Sequence, residues 1–218
     1  MKQFREYSNI FFIGIGGIGM SALARFFHTN GYHVAGYDLS SGPVTDALQK
    51  EGIGVVFDER MEAVPEKFTN KETLVVYTPA VPQKQKQLVW FKNSGFTVLK
   101  RSKVLGLITE EMKSICVAGT HGKTTVSTMT AFLLHHSKVG ANSFLGGISK
   151  NFRTNFVGDN RSNLVVLEAD EFDRSFWQLS PDVALITSMD ADHLDVYGSW
   201  DKVKEGFFGF ARRTKKNG

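Results

Sequence analysis

The sequence predicts two consecutive α/β units built on parallel sheets, and three observations carry the prediction. Apolar runs of strand length alternate with helix-length segments along the chain, and repeated β-α alternation builds a mostly parallel sheet covered by helices. Two glycine-rich turns, at residues 14–19 and 119–122, each leave an apolar run and open a helix. The pattern restarts near residues 101–112, so the reading divides the chain into domains 1–107 and 108–218.

In the first domain, the run 9–13 reads as a strand and enters the first glycine turn, after which residues 20–28 read as a helix. A second strand at 32–37 ends at Asp38, and the polar segment 40–43 opens a helix to about Lys50. Strands follow at 55–57 and 74–77, with a weaker one near 96–99. In the second domain, residues 114–118 form a strong strand, a glycine turn follows, and a helix runs from Lys123 to about His135. Buried strands are expected at 164–167 and 183–186, each with polar residues just after its carboxyl end, the edge where open α/β sheets bind ligands.

Composition narrows the function. With 42% hydrophobic residues in 218, the chain can build a proper core. Its sole cysteine, Cys116, lies in an apolar run, which excludes a disulfide framework and a cysteine-rich metal site and fits a reducing cytoplasm. No run approaches the roughly 18 apolar residues of a membrane helix, and residues 1–9 are not followed by a signal-peptide pattern, so neither membrane insertion nor targeting is expected. The formal charge of +4 is matched by four residues of the tail, Arg212, Arg213, Lys215 and Lys216; without them basic and acidic residues balance at 22 each. Nucleic-acid binding is therefore not expected.

Gly14, Gly16 and Gly19 fit G-x-G-x-x-G between a strand and a helix, with Asp38 nineteen residues beyond Gly19 at the end of the second strand. This is the Rossmann-like dinucleotide pattern. The same loop suits any diphosphate attached to a ribose, a UDP-sugar included, and a tight helix-packing turn would look alike.

Gly119-Thr120-His121-Gly122-Lys123-Thr124-Thr125 has two residues between its glycines where the usual phosphate loop has four. The physical parts are nonetheless present: a strand, glycines that turn N–H groups toward an anion, and a helix N-terminus. Lys123 can offset β- and γ-phosphate charge, and Thr124 is placed to bind magnesium. This makes the second domain resemble a P-loop ATPase. Acidic clusters follow the next two strands, at 168–173 and 190–195. Glu168 is the first choice as a magnesium ligand; His193 is equally a capping residue or a ligand on chemistry alone; most of the other acids read as solvating their loops. A dehydrogenase has no need of a triphosphate site directly after its cofactor domain, so the two loops together favour diphosphate recognition with ATP chemistry over an oxidoreductase.

The loop 119–125, the run Gly14-Ile15-Gly16-Gly17-Ile18-Gly19-Met20, the segment 168–176 and Ala191-Asp192-His193-Leu194-Asp195 resemble the Mur ligases of bacterial cell-wall synthesis over essentially the whole chain. The resemblance implies that Gly14, Gly16, Gly17 and Gly19 lie near the diphosphate of UDP-N-acetylmuramate, with Asp38 and Thr78 in neighbouring loops. It implies ATP at Gly119, Thr120, His121, Gly122, Lys123, Thr124 and Thr125. Thr124 and Glu168 would hold one Mg2+, with Glu168 and His193 near a second, and Lys123, Glu168 and His193 would be the catalytic residues. The implied reaction activates the muramic acid carboxylate as an acyl phosphate, which the amine of L-alanine then attacks.

Many members acting on later substrates carry a carbamylated lysine where this chain reads Gly206-Phe207-Phe208-Gly209-Phe210, which favours the alanine-adding branch. Family members continue beyond residue 218, so the expectation is an incomplete central domain, an absent C-terminal domain and a chain inactive by itself. Phe207, Phe208 and Phe210 are then expected to lack part of their packing surface, with self-association or poor order after about residue 200. A ligase that attaches a recycled peptide to the same UDP-sugar, and a non-catalytic UDP-sugar-binding module, are the alternatives weighed.

Overall fold

The computed structural model describes residues 2–191 and 197–218. By its contacts the chain forms two compact units, Met1–Val104 and Leu105–Gly218.

The first unit is a five-stranded sheet of β1 (Asn9–Ile13), β2 (His33–Tyr37), β3 (Gly54–Val56), β4 (Thr73–Tyr77) and β5 (Thr97–Lys100). Its order is β3-β2-β1-β4-β5 and every neighbouring pair is parallel. β1 and β4 are buried at all five positions, as strands covered on both faces must be. Three helices, α1 (Ile18–Thr29), α2 (Pro43–Lys50) and α3 (Lys86–Asn93), complete the β-α alternation. α1 buries Phe26 and Phe27, and Phe27 makes edge-on contacts with Phe4, Phe26 and Tyr32 at centroid distances of 5.2, 5.6 and 5.3 Å. A second cluster gathers Phe11, Phe68 and Phe91. α3, which the sequence reading did not assign, is stopped at its start by the Gln85 side chain accepting from Leu88 N–H at 2.7 Å, and it buries Leu88 and Phe91.

Residues read as a boundary form a helix, α4 (Arg101–Glu111), and the division between the units falls inside it. Val104, Leu105 and Ile108 are buried at helical spacing, which explains why apolar residues occur in a segment taken for a connection.

The second unit is built on β6 (Lys113–Ala118), β7 (Asn142–Phe144), β8 (Phe156–Val157), β9 (Leu164–Glu168) and β10 (Val183–Ile186), in the order β10-β6-β9-β7-β8. All pairs are parallel except β7 with β8. The central helix α5 (Lys123–His136) follows β6, and α6 (Trp200–Ala211) ends the unit. β7 and β8 went unread because three and two residues carry no periodicity.

The expectation for the tail phenylalanines needs correcting. Phe207 and Phe210 are fully buried: Phe210 stacks on Phe176 at 5.1 Å and Phe207 meets the same ring edge-on at 5.6 Å. The 3-10 helix Phe172–Gln178 supplies the packing surface, and its Trp177 Nε1 donates to the Gly206 carbonyl at 2.9 Å. Residues 200–211 are helical, so the expected poor order is not seen there, and of the three rings Phe208 alone is exposed. Truncating a buried ring of the first unit tests the packing account: Phe27→Ala should lower the unfolding free energy by about 3–5 kcal/mol, read by urea denaturation.

Candidate functional site

In the first unit the glycine loop leaves β1, and the N–H groups of Gly14 and Ile15 donate to the Tyr37 carbonyl at 2.8 and 3.0 Å, tying it to the end of β2. Gly16 N–H donates to Asp38 Oδ2 at 2.7 Å, and Leu39 N–H to Asp38 Oδ1 at 2.8 Å. A cavity of about 520 Å³ opens at the carboxyl ends of β1, β2 and β4, and Gly14, Gly17, Asp38 and Thr78 line it together. Gly16 stands beside it through its bond to Asp38, while Gly19 faces a different group: a Cβ there would overlap the Arg101 guanidinium. The third glycine thus makes room for a cation near the start of α1.

Sequence reading missed Tyr37, Glu59, Lys84, Gln85 and Lys86, which also line the cavity, the last three because they stand at the start of the unassigned α3. Lys86 Nζ pairs with Glu59 at 3.0 Å. Burial, then the charges of Glu59, Asp38 and Asp58, hold the Tyr37 phenol above its ordinary pKa, so it stays a neutral hydroxyl. The cavity lining therefore offers the acceptors Asp38 and Glu59, the Tyr37 hydroxyl and two lysines, Lys84 and Lys86.

In the second unit the phosphate loop leaves β6 and turns at Gly122, whose φ of +81° suits glycine. α3 and α6 carry side-chain caps from Gln85 and Ser199, whereas α2 starts at Gly42 without one. α1 and α5 start at Gly17 and Gly122 with no side-chain cap, which leaves first-turn N–H groups for an anion. Segment 187–190 staples the loop. Thr120 N–H donates to the Ser188 carbonyl at 3.1 Å, the Thr120 and Ser188 hydroxyls lie 2.9 Å apart, His121 N–H donates to Ser188 Oγ at 3.0 Å, and Asp190 N–H donates to Thr120 Oγ1 at 3.1 Å. Thr187 Oγ1 donates to the His121 carbonyl at 2.5 Å.

Thr124 and Glu168 are brought together: the threonine hydroxyl donates to Glu168 Oε2 at 3.2 Å. Glu168 Oε1 accepts from Ser127 Oγ at 3.0 Å and from Gly146 N–H at 2.7 Å. Lys123 Nζ folds back onto the Gly119 carbonyl at 2.5 Å and pairs with Glu171 Oε1 at 2.8 Å. Thr125 is exposed on the first turn of α5. His193 lies outside the described residues. The general reading of the remaining acids as solvated fails at Glu171, which is 1% exposed. A strand-end carboxylate, a hydroxyl and helix-start N–H groups form an oxygen-rich, anion-accepting constellation, the donor set that hard Mg2+ and a polyphosphate both require.

Gly146 was missed as well, although the pair Gly146-Gly147 after β7 was a visible signal. A Cβ at Gly146 would overlap the Glu168 carboxylate. Gly146→Ala should therefore displace Glu168 and cost about 1–3 kcal/mol of stability, measured by denaturant unfolding, with β9 amides shifting in NMR spectra.

Comparison with known proteins agrees with this arrangement. Residues 9–113 match the Mur ligase family catalytic domain and residues 117–218 the Mur ligase middle domain. The chain is 50% identical over 210 residues to a UDP-N-acetylmuramate--L-alanine ligase of Porphyromonas gingivalis, covering 96% of this chain and 46% of that protein. It is 52% identical over 200 residues to the ligase of the same name from Phocaeicola vulgatus, covering 91% and 44%. Among solved structures, the UDP-N-acetylmuramate-alanine ligase MurC of Thermotoga maritima superposes with a TM-score of 0.83 at 32% identity, over 94% of this chain and 47% of that one. The chain spans about half the length of the curated relatives it matches. The two matches together span residues 9–218 apart from 114–116, and the chain belongs to the Mur ligase family.

Proposed function

We propose that this chain carries the UDP-sugar-binding and ATP-binding portions of a ligase that joins L-alanine to UDP-N-acetylmuramate. The observation that carries the reading is the pair of glycine loops, one opening on a cavity lined by Asp38 and Thr78, the other presenting Lys123, Thr124 and Glu168 together. Its relatives at about half identity bear that activity in their names.

In the first unit, Gly14, Gly16 and Gly17 would surround the diphosphate, with Gly19 making room for the Arg101 guanidinium near the start of α1, whose dipole would add to the site, and Asp38 would accept from a ribose hydroxyl. In the second, residues 119–125 would wrap the ATP phosphates, with Lys123 directed at their charge. Thr124 and Glu168 would hold a magnesium ion, and His193 is proposed as a ligand to a second. Bound magnesium supplies charge neutralisation on the phosphate oxygens.

The proposed chemistry balances without a covalent enzyme intermediate. A muramic acid carboxylate oxygen attacks the γ-phosphorus and the bond to ADP breaks, giving an acyl phosphate. The alanine nitrogen then attacks the acyl carbon, the carbon–oxygen bond to phosphate breaks, and the nitrogen loses a proton. Lys123 stabilises charge on the transferred group as it develops. Cys116 takes no part: desolvation pushes its thiol up to about 12, and it is fully buried in β6. Among the described residues no helix is long and apolar enough to cross a membrane.

Isothermal titration of the chain with UDP-N-acetylmuramate should show saturable binding, with no response to NADH. Tight NADH binding without a response to the UDP-sugar would overturn the assignment. In a magnesium ATP titration, Lys123→Ala should weaken binding by about tenfold or more, a change of about 1.4 kcal/mol or greater.

A further inference from the structure

The group that meets the phosphate-loop lysine is Glu171. Its side chain retains 2% exposure against 20% for Lys123, and the two approach at 2.8 Å. The backbone beneath it is pinned, because its carbonyl accepts from the Tyr197 hydroxyl at 2.5 Å and from Arg174 N–H at 3.0 Å. Tyr197 is 3% exposed and packs against Gly206 of α6 so closely that a Cβ there would stand 2.9 Å from its ring. Glu171 thus belongs to a packed, hydrogen-bonded part of the unit rather than to a solvated loop.

We propose that Glu171 is a positioning residue for Lys123, an anchor that keeps the ammonium folded over the loop both before and after a phosphate group arrives. An ammonium has three donors. The Gly119 carbonyl and Glu171 Oε1 engage two of them, and the third is left for a phosphate oxygen. The alternative, in which Lys123 abandons Glu171 for the phosphate, would break an ion pair whose carboxylate is buried, and the cost of breaking a buried pair opposes the exchange. Burial therefore decides between a latch that releases and an anchor that stays. The inference rests on reading residues 119–125 as a triphosphate loop, and it adds a residue to that site which touches neither phosphate nor metal.

The test is the side-chain ammonium resonance of Lys123 in a 1H–15N correlation spectrum, assigned by its absence in Lys123→Arg. A slowly exchanging ammonium signal is expected in the free protein. It should shift but persist when magnesium ADP is added to saturation, and it should be lost in Glu171→Gln while Cys116 stays unreactive toward a thiol reagent, which reports an intact β6. Three results would overturn the proposal: no protected signal in the free wild-type protein, its survival in Glu171→Gln, or its disappearance on nucleotide saturation. Should Glu171→Gln unfold and expose Cys116, the wild-type spectra with and without nucleotide still decide. If magnesium ADP perturbs none of the amides of residues 119–125, the reading of the loop fails, and the free-protein ammonium signal alone judges the anchor.

Discussion

A parallel sheet places the carboxyl ends of its strands along one edge, and both units are organised by that constraint. In the first, β1, β2 and β4 end at Ile13, Tyr37 and Tyr77, and the residues immediately beyond them are the glycine loop, Asp38 and Thr78. In the second, β6, β9 and β10 end at Ala118, Glu168 and Ile186, followed by the phosphate loop, the segment holding Glu171, and Thr187 with Ser188. The buried strands give no other outlet for polar side chains, because β1 and β4 are covered along their whole length. Residues far apart in sequence meet because strand order brings their ends together: Ser188 reaches Thr120 across 68 positions through the β10–β6 pair.

The two glycine loops share a backbone device and differ in charge. Gly16 N–H is already engaged by the Asp38 carboxylate, and that carboxylate adds negative charge beside the loop. Such a site suits a ligand that carries hydroxyl groups next to its phosphates, since the acid can accept from a hydroxyl. The second loop instead holds Lys123 against its own Gly119 carbonyl, with a neighbouring acid to fix it. A fixed ammonium suits a ligand of higher phosphate charge. The proposed assignment of diphosphate and triphosphate thus leans on which charged side chain the strand ends supply more than on the glycines.

Much of the fold was legible in the sequence because long buried strands and glycine turns leave strong local signals. The runs at β1, β4, β6, β9 and β10 were read within one or two residues of their ends. β7 and β8 were not, since their pairing is set by β9 and by each other rather than by any pattern of their own. α3 was hidden because its mixed composition, Lys86 to Asn93, carries only a weak apolar stripe, and its cap is a glutamine, an uncommon cap residue. The tail phenylalanines were misjudged for a related reason: their partner, Phe176, comes from a short 3-10 helix that sequence periodicity does not announce.

The site shows where local reading stops. Glu168 and Glu171 lie three residues apart in one acidic run, and the strand end ranks Glu168 first as a ligand while leaving Glu171 among the loop acids. Glu168 sits at a strand end, half-buried, among the donors of Thr124, Ser127 and Gly146, so its charge is stabilised while an edge stays open. Glu171 lies one turn further on, where the chain has bent back beneath Tyr197, and its charge is met by Lys123. A partly exposed carboxylate can accept a further cation, whereas one at 2% exposure is closed to solvent and sits against the Lys123 ammonium. The proposed division of labour between two identical side chains therefore rests on burial, a tertiary quantity that an acidic motif alone does not reveal.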